Sequence, residues 1–228
     1  MSEPTDVTPT RVADERRPFS PVWWVVLVTL GVLLGVFAPA FGILAVEQFG
    51  MPVWLAYPLV VLSGALMGLI VGIAQGGALH RTVLGVPRAG WALLTAMGGL
   101  VAWALGTLPL TLEAAGQTLE LEPGQRLAAL VVGAVVAVLA IPGLQWLQLR
   151  RVVRGAWLWI PINIVAVAVG LALAWVVSNL ADLADPTSAL AGALFMAGVL
   201  ALAFATVTGL GLDWLGRRPR RAQDAPTA

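Results

Sequence analysis

Residues 63–81 read S-G-A-L-M-G-L-I-V-G-I-A-Q-G-G-A-L-H-R. The stretch is apolar, repeats glycine every fourth residue at Gly64, Gly68, Gly72 and Gly76, holds one glutamine at Gln75, and closes on His80 and Arg81. Four is the spacing of one helix face, because side chains at i and i+4 lie one above the other. A face of glycines is a groove into which a second helix backbone can move closely. Helices in lipid associate by such small-residue packing, since no hydrophobic effect drives them together there. The stretch therefore predicts a membrane helix with one packing face.

The surrounding chain has the same character. Of 228 residues, 59% are hydrophobic and 11% charged, and the mean hydropathy is +0.90. A soluble domain carries about 25% charged residues. Six stretches contain no Asp, Glu, Lys or Arg: 18–46, 48–80, 89–112, 127–149, 155–181 and 186–212. Each is longer than the roughly 20 residues a helix needs to cross a hydrocarbon core. The expected fold is all-α and polytopic, with six transmembrane helices at about 22–46, 53–79, 89–112, 127–149, 157–180 and 189–215. Residues 1–21, with four prolines and mixed charge, read as a disordered cytoplasmic tail, and 216–228 as a basic cytoplasmic tail. One alternative is a cleaved signal peptide built from Arg16, Arg17, the apolar run and Ala38-Pro39-Ala40, which would start the mature chain near Phe41. The length of that apolar run favours a retained helix.

Charge gives the expected orientation. If both termini are cytoplasmic, the inner segments collect Arg11, Arg16, Arg17, Arg81, Arg88, Arg150, Arg151, Arg154, Arg217, Arg218, Arg220 and Arg221, leaving Arg126 outside. This satisfies the positive-inside rule. The outer loops carry Glu113, Glu120, Glu122, Asp182 and Asp185 without the spacing of a calcium loop. Trp23, Trp24, Trp91, Trp157, Trp159 and Trp214 fall near the inner boundary and Trp54 and Trp175 near the outer one, where they read as interfacial anchors. Trp103 and Trp146 lie deeper, where an indole N–H needs a partner.

Parts of the opening stretch recur. Residues 72–79 (G-I-A-Q-G-G-A-L), 142–149 (P-G-L-Q-W-L-Q-L) and 205–212 (A-T-V-T-G-L-G-L) align so that Gln75, Gln145 and Thr208 coincide. The same register places Ala197, Ala201, Ala205 and Gly209 opposite the glycine row, a second run of small packing residues; helix 4 keeps no such run. Trp24, Trp91 and Trp157 begin helices 1, 3 and 5. The expectation is two or three pseudo-repeated helical hairpins, helices 2-3, 4-5 and, permuted, 6-1.

The pattern G-x-x-Q-x-x-x-L followed by basic residues, with the stretch Ala102-Trp103-Ala104-Leu105-Gly106-Thr107-Leu108-Pro109, resembles a group of uncharacterised multi-pass proteins of bacterial plasma membranes over about residues 60–215. The resemblance implies the topology and no activity. This chain departs from the repeated pattern in having Gly76 where the second unit has Trp146, and Thr208 in place of a glutamine.

Candidate chemistry is sparse. Polar residues within a membrane span are the first place to look for function, and Gln75, Gln145, Thr208 and Asn163, with Trp146, form the candidate ligand-binding set. They read either as a polar pocket open to the cytoplasm or as interhelical hydrogen bonding. With no cysteine and one histidine, His80, no cofactor or metal site is expected. Asp213 is placed to pair with Arg217 four residues on. The arginine clusters suit anionic lipid headgroups, and no module for nucleic acid accompanies them. The function expected is that of a non-enzymatic structural, accessory, or lipid- or small-ligand-binding membrane module; the alternative is a transporter or channel with a polar site near the cytoplasmic ends of helices 2, 4 and 6, and a membrane-embedded enzyme is disfavoured because the spans lack paired carboxylates or histidines.

Overall fold

The computed structural model describes residues 17–80, 82, 84–117, 122–180 and 186–217. These form six helices: α1 (Pro21–Gln48), α2 (Val53–Leu79), α3 (Arg88–Ala114), α4 (Pro123–Leu149), α5 (Trp159–Leu180) and α6 (Pro186–Gly216). All six are long and apolar enough to cross a membrane. Among the described residues the only β pairing is an isolated bridge between Arg17 and Thr82. Each helix packs on its neighbours in sequence and α6 packs back on α1, so the six close into a ring. The ends carrying His80, Arg88, Arg150, Arg151, Arg154 and Arg217 lie together and are called here the basic end; Glu47, Glu113 and Glu122, with Arg126, mark the opposite, acidic end.

Helix limits follow from local chemistry. α1 starts at Pro21 because Ser20 accepts the Trp23 N–H at 3.3 Å and proline needs no amide partner at the first position. α4 starts four residues before the charge-free run, at Pro123, where Glu122 and Gln125 form a capping box. α5 is preceded by a 3₁₀ turn, Ala156–Leu158, entered through Gly155 at φ 72°, a left-handed conformation that only glycine adopts at little cost. Residues 17–21, expected in the N-terminal tail, are ordered: Arg17 bridges Thr82, and Phe19 packs on Trp24 with ring centroids 6.0 Å apart. The rest of that tail, Arg81, Glu120, Asp182, Asp185 and the residues after Arg217 lie outside the described residues.

The glycine row of α2 faces α3. A methyl group at Gly72 would lie 2.7 Å from Ala92 Cα, one at Gly68 2.6 Å from the Thr95 carbonyl oxygen, and one at Gly76 3.1 Å from Arg88, while Gly64 lies directly against the Trp103 ring. α3 reciprocates through Gly99, where a methyl would be 2.8 Å from the Gly64 carbonyl oxygen, and turns Gly98 toward Ile141 of α4. On the other side of α2, Gly31, Gly35 and Gly42 of α1 lie against Ala74, Met67 and Ser63. In α6, Ala201 and Ala205 are buried, Ala197 is half-buried, and Gly209 admits Trp24.

The core lies at the basic end, where Trp24, Trp91, Trp159, Leu79, Leu149 and Leu212 are fully buried. Three tryptophans read as interfacial anchors are therefore core residues. The expected partner of Trp24 and Trp91 also changes: Trp157 is 61% exposed, and Trp159 takes the buried position. Trp159 begins α5 on the buried face that Asn163 and Ala166 continue, whereas Trp157 lies in the preceding 3₁₀ turn and points away. Asp213 and Arg217 form an ion pair at 2.7 Å. Gly72→Leu should lower the thermal midpoint in detergent by an amount equivalent to about 3 kcal/mol or prevent folding, whereas Ile73→Leu, at an exposed position, should leave it unchanged; equal midpoints would show that the row does not set the α2–α3 distance.

Candidate functional site: a tryptophan–amide ring at the basic end

Gln75, Gln145 and Thr208 each sit one turn before a fully buried leucine of their helix, Leu79, Leu149 and Leu212. Trp24, Trp91 and Trp159 each occupy the fourth residue of the helical segment that answers them, counting from Pro21, Arg88 and Ala156. Short connections at the basic end bring Trp91 and Trp159 onto their amides, and the packing of α6 on α1 brings Trp24 onto the Thr208 hydroxyl. The Trp91 indole N–H donates to Gln75 Oε1 at 2.9 Å, Trp159 to Gln145 Oε1 at 2.9 Å, and Trp24 to Thr208 Oγ1 at 3.1 Å.

The first two pairs are cross-linked. Gln145 Nε2 donates to Gln75 Oε1 and to Thr95 Oγ1, each at 2.8 Å. Thr95 and Asn163, one turn after Trp91 and Trp159, donate to the backbone carbonyls of those tryptophans at 2.8 Å. On α1 the equivalent position is Val28, so the third pair lacks this support. The rings also touch: Trp159 lies 6.1 Å from Trp91 and 6.3 Å from Trp24, the latter edge to face. Such contacts contribute about 0.5–1.5 kcal/mol each beyond burial.

Gln75, Gln145 and Thr208 are only 0–1% exposed, and beneath them toward the basic end lie Leu79, Leu149 and Leu212 together with Leu84 and Val86 of the α2–α3 connection. A pocket open at this end would need a gap in that apolar layer. Trp146 stands apart from the ring, half-buried, with the Arg150 guanidinium 5.1 Å from its centroid. Thr29 Oγ1 and Gln148 Oε1 are buried without a partner. His80 ends α2 at the surface, and no group of three or more His, Asp or Glu gathers among the described residues.

The donors are what reading the sequence missed. Gln75, Gln145, Thr208 and Asn163 are brought to one level of the bundle, but the partners that satisfy three of them are indoles assigned to the interface. The available signal was the fourth-residue position, with a polar residue one turn later at Thr95 and Asn163. No family model, curated protein or solved structure matches the chain. The structure accordingly defines a class by its build alone, an all-helical bundle of six candidate membrane spans closed at one end by a tryptophan–amide ring.

Gln145→Leu removes three side-chain hydrogen bonds and strands the Trp159 indole N–H. At about 0.6–2 kcal/mol per bond in a membrane, it should destabilise the protein by roughly 2–4 kcal/mol. Thr208→Val removes one interhelical bond, from Trp24, together with the hydroxyl's local donation to the Phe204 carbonyl, and should cost about 1 kcal/mol. Unfolding titrations of the two variants check the order, and an equal or reversed order would mean that the cross-links to Gln75 and Thr95 contribute nothing.

Proposed function

We propose that this chain is a non-enzymatic multi-pass protein of a bacterial plasma membrane, with both termini in the cytoplasm, acting as an accessory module that binds lipid. The observation that carries the reading is the closed ring: the polar side chains a solute path would use are hydrogen-bonded to indoles and covered by leucines. A transport route through Gln75 and Gln145 would have to break the contacts that hold the helix ends together. The acidic half is looser, because α4 has buried residues only at Pro142, Gln145 and Leu149 and touches α5 least of any neighbouring helix pair.

The orientation rests on charge: Arg88, Arg150, Arg151, Arg154 and Arg217 at one end favour the cytoplasmic side and its anionic headgroups. The recurring indole-to-acceptor pair supports three related hairpins, α2-α3, α4-α5 and the permuted α6-α1, around an axis along the membrane normal.

The chain has no cysteine, so any introduced thiol is unique. Gln117→Cys, at the acidic end, should react with an impermeant maleimide added to intact cells, and Arg151→Cys only after permeabilisation; the opposite pattern would invert the topology. Native mass spectrometry of the protein released from detergent should show bound phospholipid. A spectrum of bare protein under conditions that preserve the fold would contradict the lipid-binding role.

A further inference from the structure

Toward the acidic end α3 and α4 separate, leaving a groove of about 470 Å³, within the range of about 300–1,000 Å³ usual for small-molecule sites. Its walls are largely apolar, and its mouth carries Glu113 from the last turn of α3, Gln117 just beyond that helix and Arg126 from the first turn of α4. Gly106 and Gly133 face open space there, since a methyl group on either would meet nothing within 4 Å. The contrast with Gly98, where a methyl would lie 2.6 Å from Ile141 Cα, is one of spacing between the same two helices. Small residues permit contact in both places, and contact occurs in one.

In a bilayer an apolar groove of this kind does not stay empty, and its mouth selects what fills it. Glu113 and Arg126 are exposed, of opposite charge, and form no ion pair among the described residues. We propose that the groove holds one acyl chain of a zwitterionic phospholipid with a primary-amine headgroup, the phosphate set against Arg126 and the ammonium against Glu113. An anionic headgroup would satisfy Arg126 and leave Glu113 repelled, so the pair discriminates by charge. This assignment rests on the lipid-binding role proposed above and adds the place and the class of lipid.

The test is native mass spectrometry of the full chain from nanodiscs of equimolar phosphatidylethanolamine and phosphatidylglycerol. Wild-type protein should retain phosphatidylethanolamine about fivefold over phosphatidylglycerol. Glu113→Gln should abolish the preference and Arg126→Gln should reduce retention of both lipids. Gly133→Leu fills the groove at a position with free space, so it should fold normally and lose the bound lipid while both charges remain. If wild-type protein retains no phospholipid, the lipid-binding role itself fails. If it retains phospholipid with the same headgroup ratio and amount in all three variants, the role stands and this groove is not the site.

Discussion

Everything at the basic end depends on one constraint: an indole N–H inside a low-dielectric bundle has to find an acceptor, and so does every side-chain amide near it. A buried polar group without a partner costs about 1–3 kcal/mol. Three tryptophans and two glutamines meet the requirement mutually, with Thr95 and Thr208 completing the set. Because the partners come from different helices, satisfying them fixes the helix ends relative to one another. Gln145 alone joins α4 to α2, α3 and α5.

Bulky indoles at the centre of a bundle need room, and glycine supplies it. Gly209 admits the edge of Trp24, while Gly72 and Gly68 let α3 approach closely enough for Trp91 to reach Gln75. The same economy is missing from α4, whose acidic half presents Val131, Val132, Val135 and Val136 to the surroundings. Tight α2–α3 packing and loose α4 packing coexist because the ring holds α4 by its basic end only. The structure is therefore closely packed where it is polar and sealed, and open where it is apolar.

Much of this was legible from sequence. Charge-free runs located the six helices, and their register brought Gln75, Gln145 and Thr208 to one level. Tryptophan misled, because an indole at a helix start fits both an interfacial anchor and a buried donor, and composition does not separate them. Trp157 and Trp159 show why: they lie two residues apart at the same end of the bundle, and only the face shared with Asn163 and Ala166 assigns Trp159 to the core. The start of α4 was hidden because a capping box with Arg126 in the first turn interrupts the apolar run. The groove at the acidic end was invisible, since Gly106 and Gly133 look in sequence like the glycines that pack closely.

The central claim is that three indole N–H groups hold the ring together in the membrane. Hydrogen exchange at the ten tryptophan indoles, followed by nuclear magnetic resonance on indole-¹⁵N-labelled protein in bicelles, tests it most directly. Trp24, Trp91 and Trp159 should exchange orders of magnitude more slowly than Trp23, Trp54, Trp157 and Trp175, approaching the rate of global unfolding. Exchange of Trp91 and Trp159 as fast as that of the exposed tryptophans would mean that the ring does not form.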